Sequence, residues 1–355
     1  MAFLAALVIV AALTLYAVSG GADYGGGVWD LLARGPRAER QRELISHAIG
    51  PIWEANHVWL ILAIVVLFTG FPPAFARITT ILHVPLFLML LGIVARGAAF
   101  SFRSYGSPQG DTQRHWGRVF AVASLITPLL LGTILGAIAA GTVPAAPPSA
   151  AVFFTSWLGF FPLSVGLYAL VMFAFLAAVY LTVEAEDEDL REDFRRRALR
   201  SGLLLGVLAA AVLAVAGLRV PELLEDLTRT PWSWALHACT AVAALGTLFA
   251  LWRRQYLVAR IGAVLQVLLI IWGWAFSQFP HLIKPDLTFQ EAAAPPITLK
   301  LLLGALAAGW WCWCLRSFTC SGCSGRWNKG RKGLKGRKGH KRHQGRGGRG
   351  YAFAL

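Results

Sequence analysis

The chain has 355 residues, 57% of them hydrophobic and only 14% charged, with a formal net charge of +15. Apolar runs of about 20 residues, the length a helix needs to cross a bilayer, recur along it and argue against a soluble globular enzyme. The charge does not argue for nucleic acid: 12 of the 33 basic residues lie in the last 40 positions, which hold no acid, and without them 21 basic residues face 18 acidic ones, a net of +3.

Nine spans are predicted in chain order, near residues 2–19, 53–75, 78–100, 118–141, 156–182, 201–220, 233–252, 258–279 and 297–315. The first has no basic leader and is followed by the Gly-rich stretch GADYGGGVWD, read as a turn, and then by arginines, so it is read as a retained span rather than a signal peptide. Basic residues alternate between connections. Arg34, Arg37, Arg40 and Arg42 follow span one; Arg103, Arg114 and Arg118 follow span three; Arg191, Arg195, Arg196, Arg197 and Arg200 follow span five; Arg253, Arg254 and Arg260 follow span seven. The positive-inside rule then puts the N-terminus outside and the C-terminus in the cytoplasm. The segment from Glu184, acidic first and basic later, suits a short cytoplasmic helix.

Few residues carry chemistry. Glu54 opens span two within GPIWEANHVWLILA, three residues before His57, so the two share a helical face. An acid at the mouth of a span faces a protein interior, a cavity or a path. Glu54 is therefore a candidate for taking and releasing protons. The other reading is that it caps the helix or pairs with Arg96 or Arg103. Asp23 lies on the same side, just after span one. Arg96 and Arg103, two turns apart near the end of span three, can pair with Asp23 or Glu54 in a bundle or snorkel to the interface. Trp272, Trp274, Pro280, His281, Pro285 and Asp286 mark the outer interface, where such residues serve as anchors. The histidines show no paired spacing that points to haem, and no P-loop, dinucleotide fingerprint or zinc-protease motif is present. Four of the five cysteines (Cys312, Cys314, Cys320, Cys323) sit in or just before the basic tail, where they only superficially resemble a zinc knuckle.

Several stretches together resemble subunit II of the cytochrome bd quinol oxidases, including the cyanide-insensitive branch. GGADYGGGVWDLLARG is similar to the family's DGFDxGVG turn, IGPIWEANHVWLILA to PxWDGNxVWL, ARGAAFSFRS to FRGxAFxFR, and the segment LIIWGWAFSQFPHLIKPDLTFQEAAAPPITLKLLL to its C-terminal half. The resemblance runs over residues 1 to 308. It implies an all-α integral membrane fold of nine transmembrane helices, arranged as two four-helix bundles plus one peripheral helix, in the bacterial cytoplasmic (inner) membrane. It also implies a heterodimer with a subunit I that holds two b-type haems, one d-type haem and the quinol site, oxidising quinol outside and reducing dioxygen to water. Subunit II would carry no haem, would act as a scaffold, can bind a structural quinone, and would offer a proton route from the cytoplasm. The family's acids fall on Glu54 and Asp23. The proton path is then Glu54, Asp23, His57 and Ser101, supported by Arg96, Arg103, Asn56 and Trp59. Two positions depart from the pattern: Gly20 replaces the first acid of DGFD, and Ser101 stands where many members have another acid. A hydroxyl passes a proton along a chain but stores no charge at neutral pH.

The ending departs as well. The family closes on a pattern like VPSLFYLFRVF, whereas this chain reads GWWCWCLRSFTCSGCSGRWNKGRKG. Shifting the reading frame from the third base of the Gly309 codon turns the Trp and Cys codons into codons for apolar residues, and the continuation permits Ser-Leu-Phe-Tyr-Leu-Phe-Arg-Val-Phe. The expectation is therefore a membrane domain over 1–315 and a disordered, frameshift-derived tail over 316–355. Against the oxidase subunit stand two alternatives, a proton-coupled secondary transporter and a membrane scaffold without transfer chemistry. The acids lie at helix ends rather than at the midplane where transporters couple.

Overall fold

The fold is that of a computed structural model, which describes residues 1–50, 55–105, 111–228 and 231–312, without the side chains of 103–105, 111–114 and 231. Two units separate, Met1–Leu302 and Leu303–Leu355, and the second is helical as far as it is described, to Cys312. Among the described residues thirteen helices run in order: α1 (Ala2–Leu31), α2 (Ala38–Ile49), α3 (His57–Gly70), α4 (Pro72–Ile81), α5 (His83–Tyr105), α6 (Asp111–Ala139), α7 (Val152–Thr155), α8 (Phe160–Glu184), α9 (Glu188–Arg219), α10 (Pro221–Thr228), α11 (Pro231–Trp252), α12 (Tyr256–Gln278) and α13 (Pro296–Cys312). Among the described residues seven helices are long and apolar enough to cross a membrane, or eight if α3 and α4 together form one span, and α13 is a shorter apolar helix.

Helix α8 is the hub, packed on α1, α6, α9 and α12. Its run from Met172 to Val179 is buried on every side, as expected of a helix apolar all round that has partners on each face. Glycines let α1 approach it. A Cβ on Gly25 would lie 2.0 Å from the Phe173 carbonyl oxygen, and one on Gly21 would lie 2.8 Å from a Leu176 methyl. Small residues that bring backbones close are how helices associate where lipid supplies no hydrophobic drive.

Four expectations are corrected. The stretch GADYGGGVWD is no turn: its glycines lie inside α1, which runs unbroken to Leu31, because they face α8, α6 and α2 rather than a loop. Span two is not straight. It breaks at Phe71, where α3 and α4 meet at 117°, since Pro72 and Pro73 have no N–H to give to the Phe68 and Thr69 carbonyls; the Gly70 carbonyl at the break accepts from Ala294 N at 2.8 Å. The acidic-then-basic segment after Glu184 is not a separate helix but the first turns of the 32-residue α9, started by Asp187 accepting from Asp189 N at 2.9 Å. Between spans one and two lies α2, read from sequence only as an arginine-bearing connection. Gln41, Ile45 and Ile49 form its buried stripe, and Arg37 and Gln41 bind Asp193 of α9 at 2.7 to 2.9 Å.

After α12 a two-stranded hairpin, β1 (His281–Ile283) and β2 (Leu287–Thr288), folds back over one end of the bundle. Arg77 of α4 holds it, donating to Asp286 at 2.9 Å and to the Val143 carbonyl at 2.8 Å, while Lys284 binds Asp226 of α10 at 2.5 Å. The Arg77 hydrogen bond keeps the Asp286 carboxyl below the usual carboxylate range.

Candidate functional site

The site is a buried polar knot where α1, α3, α5 and α6 meet. Asp23, with no exposed surface, projects from the glycine-rich part of α1 toward Arg96 of α5, which is 1% exposed. Arg96 Nη1 donates to Asp23 Oδ2 at 2.7 Å, and Nη2 donates to Oδ1 and to the Asp23 carbonyl. Its Nε donates to Ser124 Oγ of α6 at 2.9 Å, and that hydroxyl donates to the Phe120 carbonyl. Asn56, 1% exposed, adds a third donor to the carboxylate through Nδ2 at 2.7 Å. The guanidinium lies 4.7 Å from the ring centre of Tyr24 and 4.8 Å from that of Phe120, so its charge sits over two aromatic rings. A charge pair survives such burial only when hydrogen bonds satisfy it this completely.

Glycine makes the knot possible. A Cβ on Gly27 would lie 2.1 Å from Ser124 Oγ, so a larger residue there would push α6 away and take the hydroxyl from Arg96. At Gly20, where the family pattern has an acid, an added Cβ would meet Asn56 Nδ2 at an ordinary 3.6 Å. The position of the missing carboxylate therefore borders the same cluster.

Of the residues singled out by sequence, Asp23, Arg96 and Asn56 are bonded together, and His57 adjoins them. Its ring centre lies 6.2 Å from that of Tyr16 and 6.3 Å from that of Tyr24. Of the two partners open to Arg96, the structure gives it Asp23. Ser101 is half-buried further along α5, and Trp59 is half-buried against the main core. Glu54 and the Arg103 side chain lie outside the described residues, as do Cys314, Cys320 and Cys323. Sequence reasoning missed Ser124, Phe120, Tyr16 and Tyr24. Their only signal is a hydroxyl or an aromatic ring inside an apolar run, which many spans share.

A second feature is an apolar cavity of about 300 Å³, walled by α1, α6, α8, α9, α10, α11 and α12. Leucine, valine, alanine and aromatic side chains line it, with Tyr16, His237 and Trp274 among its few polar groups. The Trp274 indole nitrogen is buried and unpartnered among the described residues. This corrects the reading of Trp274 as an interface anchor: it faces inward. His237 Nδ1 lies 2.7 Å from the Ser233 carbonyl; a carbonyl only accepts, so Nδ1 carries a proton and donates it there. The cavity thus has an apolar body with an indole and an imidazole in its wall. It offers one histidine, His237, and no group of three or more His, Cys, Asp or Glu side chains converges among the described residues.

Comparison with known proteins gives a consistent result. A family model for cytochrome bd terminal oxidase subunit II matches residues 1–314. A putative cytochrome bd menaquinol oxidase subunit II of Bacillus subtilis is 22% identical over 316 residues, spanning 85% of this chain and 89% of the relative. The cytochrome bd-I ubiquinol oxidase subunit 2 of Escherichia coli is 28% identical over 121 residues, 34% of this chain and 31% of that protein. A solved structure of bd oxidase from Geobacillus thermodenitrificans shares the fold, with a TM-score of 0.74 and 22% identity over 87% of this chain and 94% of that one. With the helical membrane fold already in view, the match over nearly the whole described chain places this protein in the family of subunit II of the cytochrome bd terminal oxidases.

Proposed function

We propose that the chain works as the partner of a haem-bearing subunit I in a quinol:oxygen oxidoreductase, supporting that subunit and carrying a cytoplasmic proton-uptake route. The two b-type haems and the d-type haem belong to subunit I in this reading. The complex lies in the bacterial inner membrane with the N-terminus of this chain outside. Nine spans follow if α3 and α4 count as one broken span and α13 as the last, grouped as two four-helix bundles and a peripheral helix. The tail after Gly309 is read as frameshift-derived and without selected function.

The observation that carries the proton route is the buried knot itself. A carboxylate, a guanidinium, an amide and an imidazole are gathered at the base of span two, directly after the stretch that holds Glu54. Glu54 takes protons at the mouth, and His57 and Ser101 pass them on. The Asp23 carboxylate accepts from three donor nitrogens and steadies the route through its field, with Arg96, Arg103, Asn56 and Trp59 holding the shape. Family membership favours this reading over a secondary transporter.

Glu54→Gln tests it. The variant complex should assemble with full haem content while quinol-dependent oxygen consumption falls at least tenfold. Full activity would remove Glu54 from the route, and failed assembly would make its role structural.

The apolar cavity is read as a quinone site. Trp274 Nε1 would donate to a ring oxygen, His237 Nε2 would accept from a ring hydroxyl, and the leucine-rich wall would take the tail. Such a ring, in its reduced hydroquinone form, would carry two hydroxyls whose protons can be given up.

A further inference from the structure

Tyr16 belongs to two neighbourhoods at once. Its fully buried ring lines the apolar cavity, and its hydroxyl donates to the hydroxyl of Tyr24 at 3.1 Å. Tyr24 in turn stands in the polar knot, adjacent to Asp23 in sequence and with its ring against the Arg96 guanidinium. A phenol that accepts one proton still has its own to give. The imidazole ring of His57 packs against both tyrosines, its centre 6.2 Å from that of Tyr16 and 6.3 Å from that of Tyr24. Its Nδ1 is buried and unpartnered among the described residues, and so is Asn56 Oδ1 on the preceding residue. Unpaired buried acceptors beside a hydroxyl with a free proton form the setting in which proteins hold an internal water.

We propose that Tyr16 and Tyr24 form a proton relay between the cavity and the polar knot, ending at His57 through one water held by Tyr24, His57 and Asn56. The water accepts from the Tyr24 hydroxyl and donates to His57 Nδ1 and Asn56 Oδ1. In the step, Tyr16 takes a proton from a hydroxyl in the cavity while its own passes to Tyr24, that of Tyr24 to the water, and that of the water to His57 Nδ1. At each oxygen one O–H bond forms as another breaks, no electron moves, and the net change is one proton from the cavity to the imidazole. The ligand class that uses such a relay is an apolar-tailed molecule with an ionisable ring hydroxyl, that is, a hydroquinone. The relay rests on the reading of the cavity as a quinone site, and it makes that quinone an exchanger of protons with the interior of the subunit rather than an inert filler.

The test uses the assembled oxidase with ring-¹³C tyrosine, the infrared difference spectrum between its oxidised and reduced forms, and the quinone extracted per complex. Ala209→Phe, which fills the cavity wall, should remove one equivalent of quinone and so identify the cavity's share. In the unaltered complex, label-sensitive tyrosine bands should appear in the difference spectrum. Tyr24→Phe, which lies outside the cavity wall, should abolish them with quinone content unchanged, and Tyr16→Phe should abolish them as well. Quinone retained in Tyr24→Phe, with tyrosine bands identical to those of the unaltered complex, would overturn the relay while leaving the cavity reading intact. No loss of quinone in Ala209→Phe, together with no tyrosine bands in the unaltered complex, would overturn both.

Discussion

Arg96→Met removes the guanidinium and leaves the Asp23 carboxylate in a site with no solvent exposure, with Asn56 as its remaining side-chain donor. Removing one partner of a buried ion pair costs about 3–5 kcal/mol, because the other charge stays behind uncompensated. Loss of the contacts with the faces of Tyr24 and Phe120 adds up to about 2 kcal/mol when such contacts are desolvated. Asp23→Leu should cost about as much from the other side, leaving Arg96 with Ser124. The double variant removes both charges together, and a buried pair replaced by apolar groups is often close to neutral. The cycle should therefore show a coupling of at least about 2 kcal/mol, well above the scatter of independent sites. Unfolding of the purified complex in mixed micelles, followed by tryptophan fluorescence, measures it. Single variants that each cost under about 1 kcal/mol, or a double variant whose cost equals their sum, would refute the claim that this pair organises the meeting of α1, α5 and α6.

Packing and surface charge give further expectations. Gly25→Ala puts a methyl 2.0 Å from the Phe173 carbonyl and should destabilise the complex by about 1–3 kcal/mol, whereas Gly206→Ala meets nothing within 4 Å and should be neutral or gain up to about 1 kcal/mol from helix propensity; equal effects in the same melting assay would contradict the close α1–α8 approach. The folded-state pKa of Asp286 is depressed by Arg77, so the pair's contribution is present above the ordinary carboxylate pKa and lost as pH falls through the depressed one. Because Asp286 is half-exposed, that contribution should be under about 1 kcal/mol. The melting difference between the unaltered chain and Asp286→Asn should be small at pH 7 and vanish in acid, and a difference that grows in acid would contradict the pairing. Resequencing of the gene across Gly309 should restore an apolar ending, and an unbroken frame to Leu355 in independent reads would contradict the frameshift.

Apolar length made the helices legible, but the same residue types carry different meanings in lipid and in water. The glycines from Gly20 to Gly27 read as a turn because glycine punctuates soluble chains; inside this bundle they are contact surface for Phe173, Ile49 and Ser124. Hydropathy is continuous from Trp59 to Phe75 and reads as one span, although Pro72 and Pro73 interrupt the helix there. Nothing in the sequence pairs the Gly70 carbonyl with its donor, Ala294, from the far end of the chain. Asp23 and Arg96 stood out as charges in apolar surroundings, which is a physical signal. Their pairing across 73 residues and the choice of Ser124 as second acceptor depend on helix packing that periodicity does not encode. Trp274 could not be told from an interfacial anchor, since both roles place a tryptophan near a helix end.

The claim that this chain serves a terminal quinol oxidase meets its most direct test in purification of the chain from its own membranes under mild detergent. A haem-bearing partner subunit should come with it in a one-to-one complex, with a reduced-minus-oxidised spectrum showing both b- and d-type bands and with quinol-driven oxygen uptake. A chain that purifies intact and folded without that partner, and without haem absorbance in the fraction, would contradict the account.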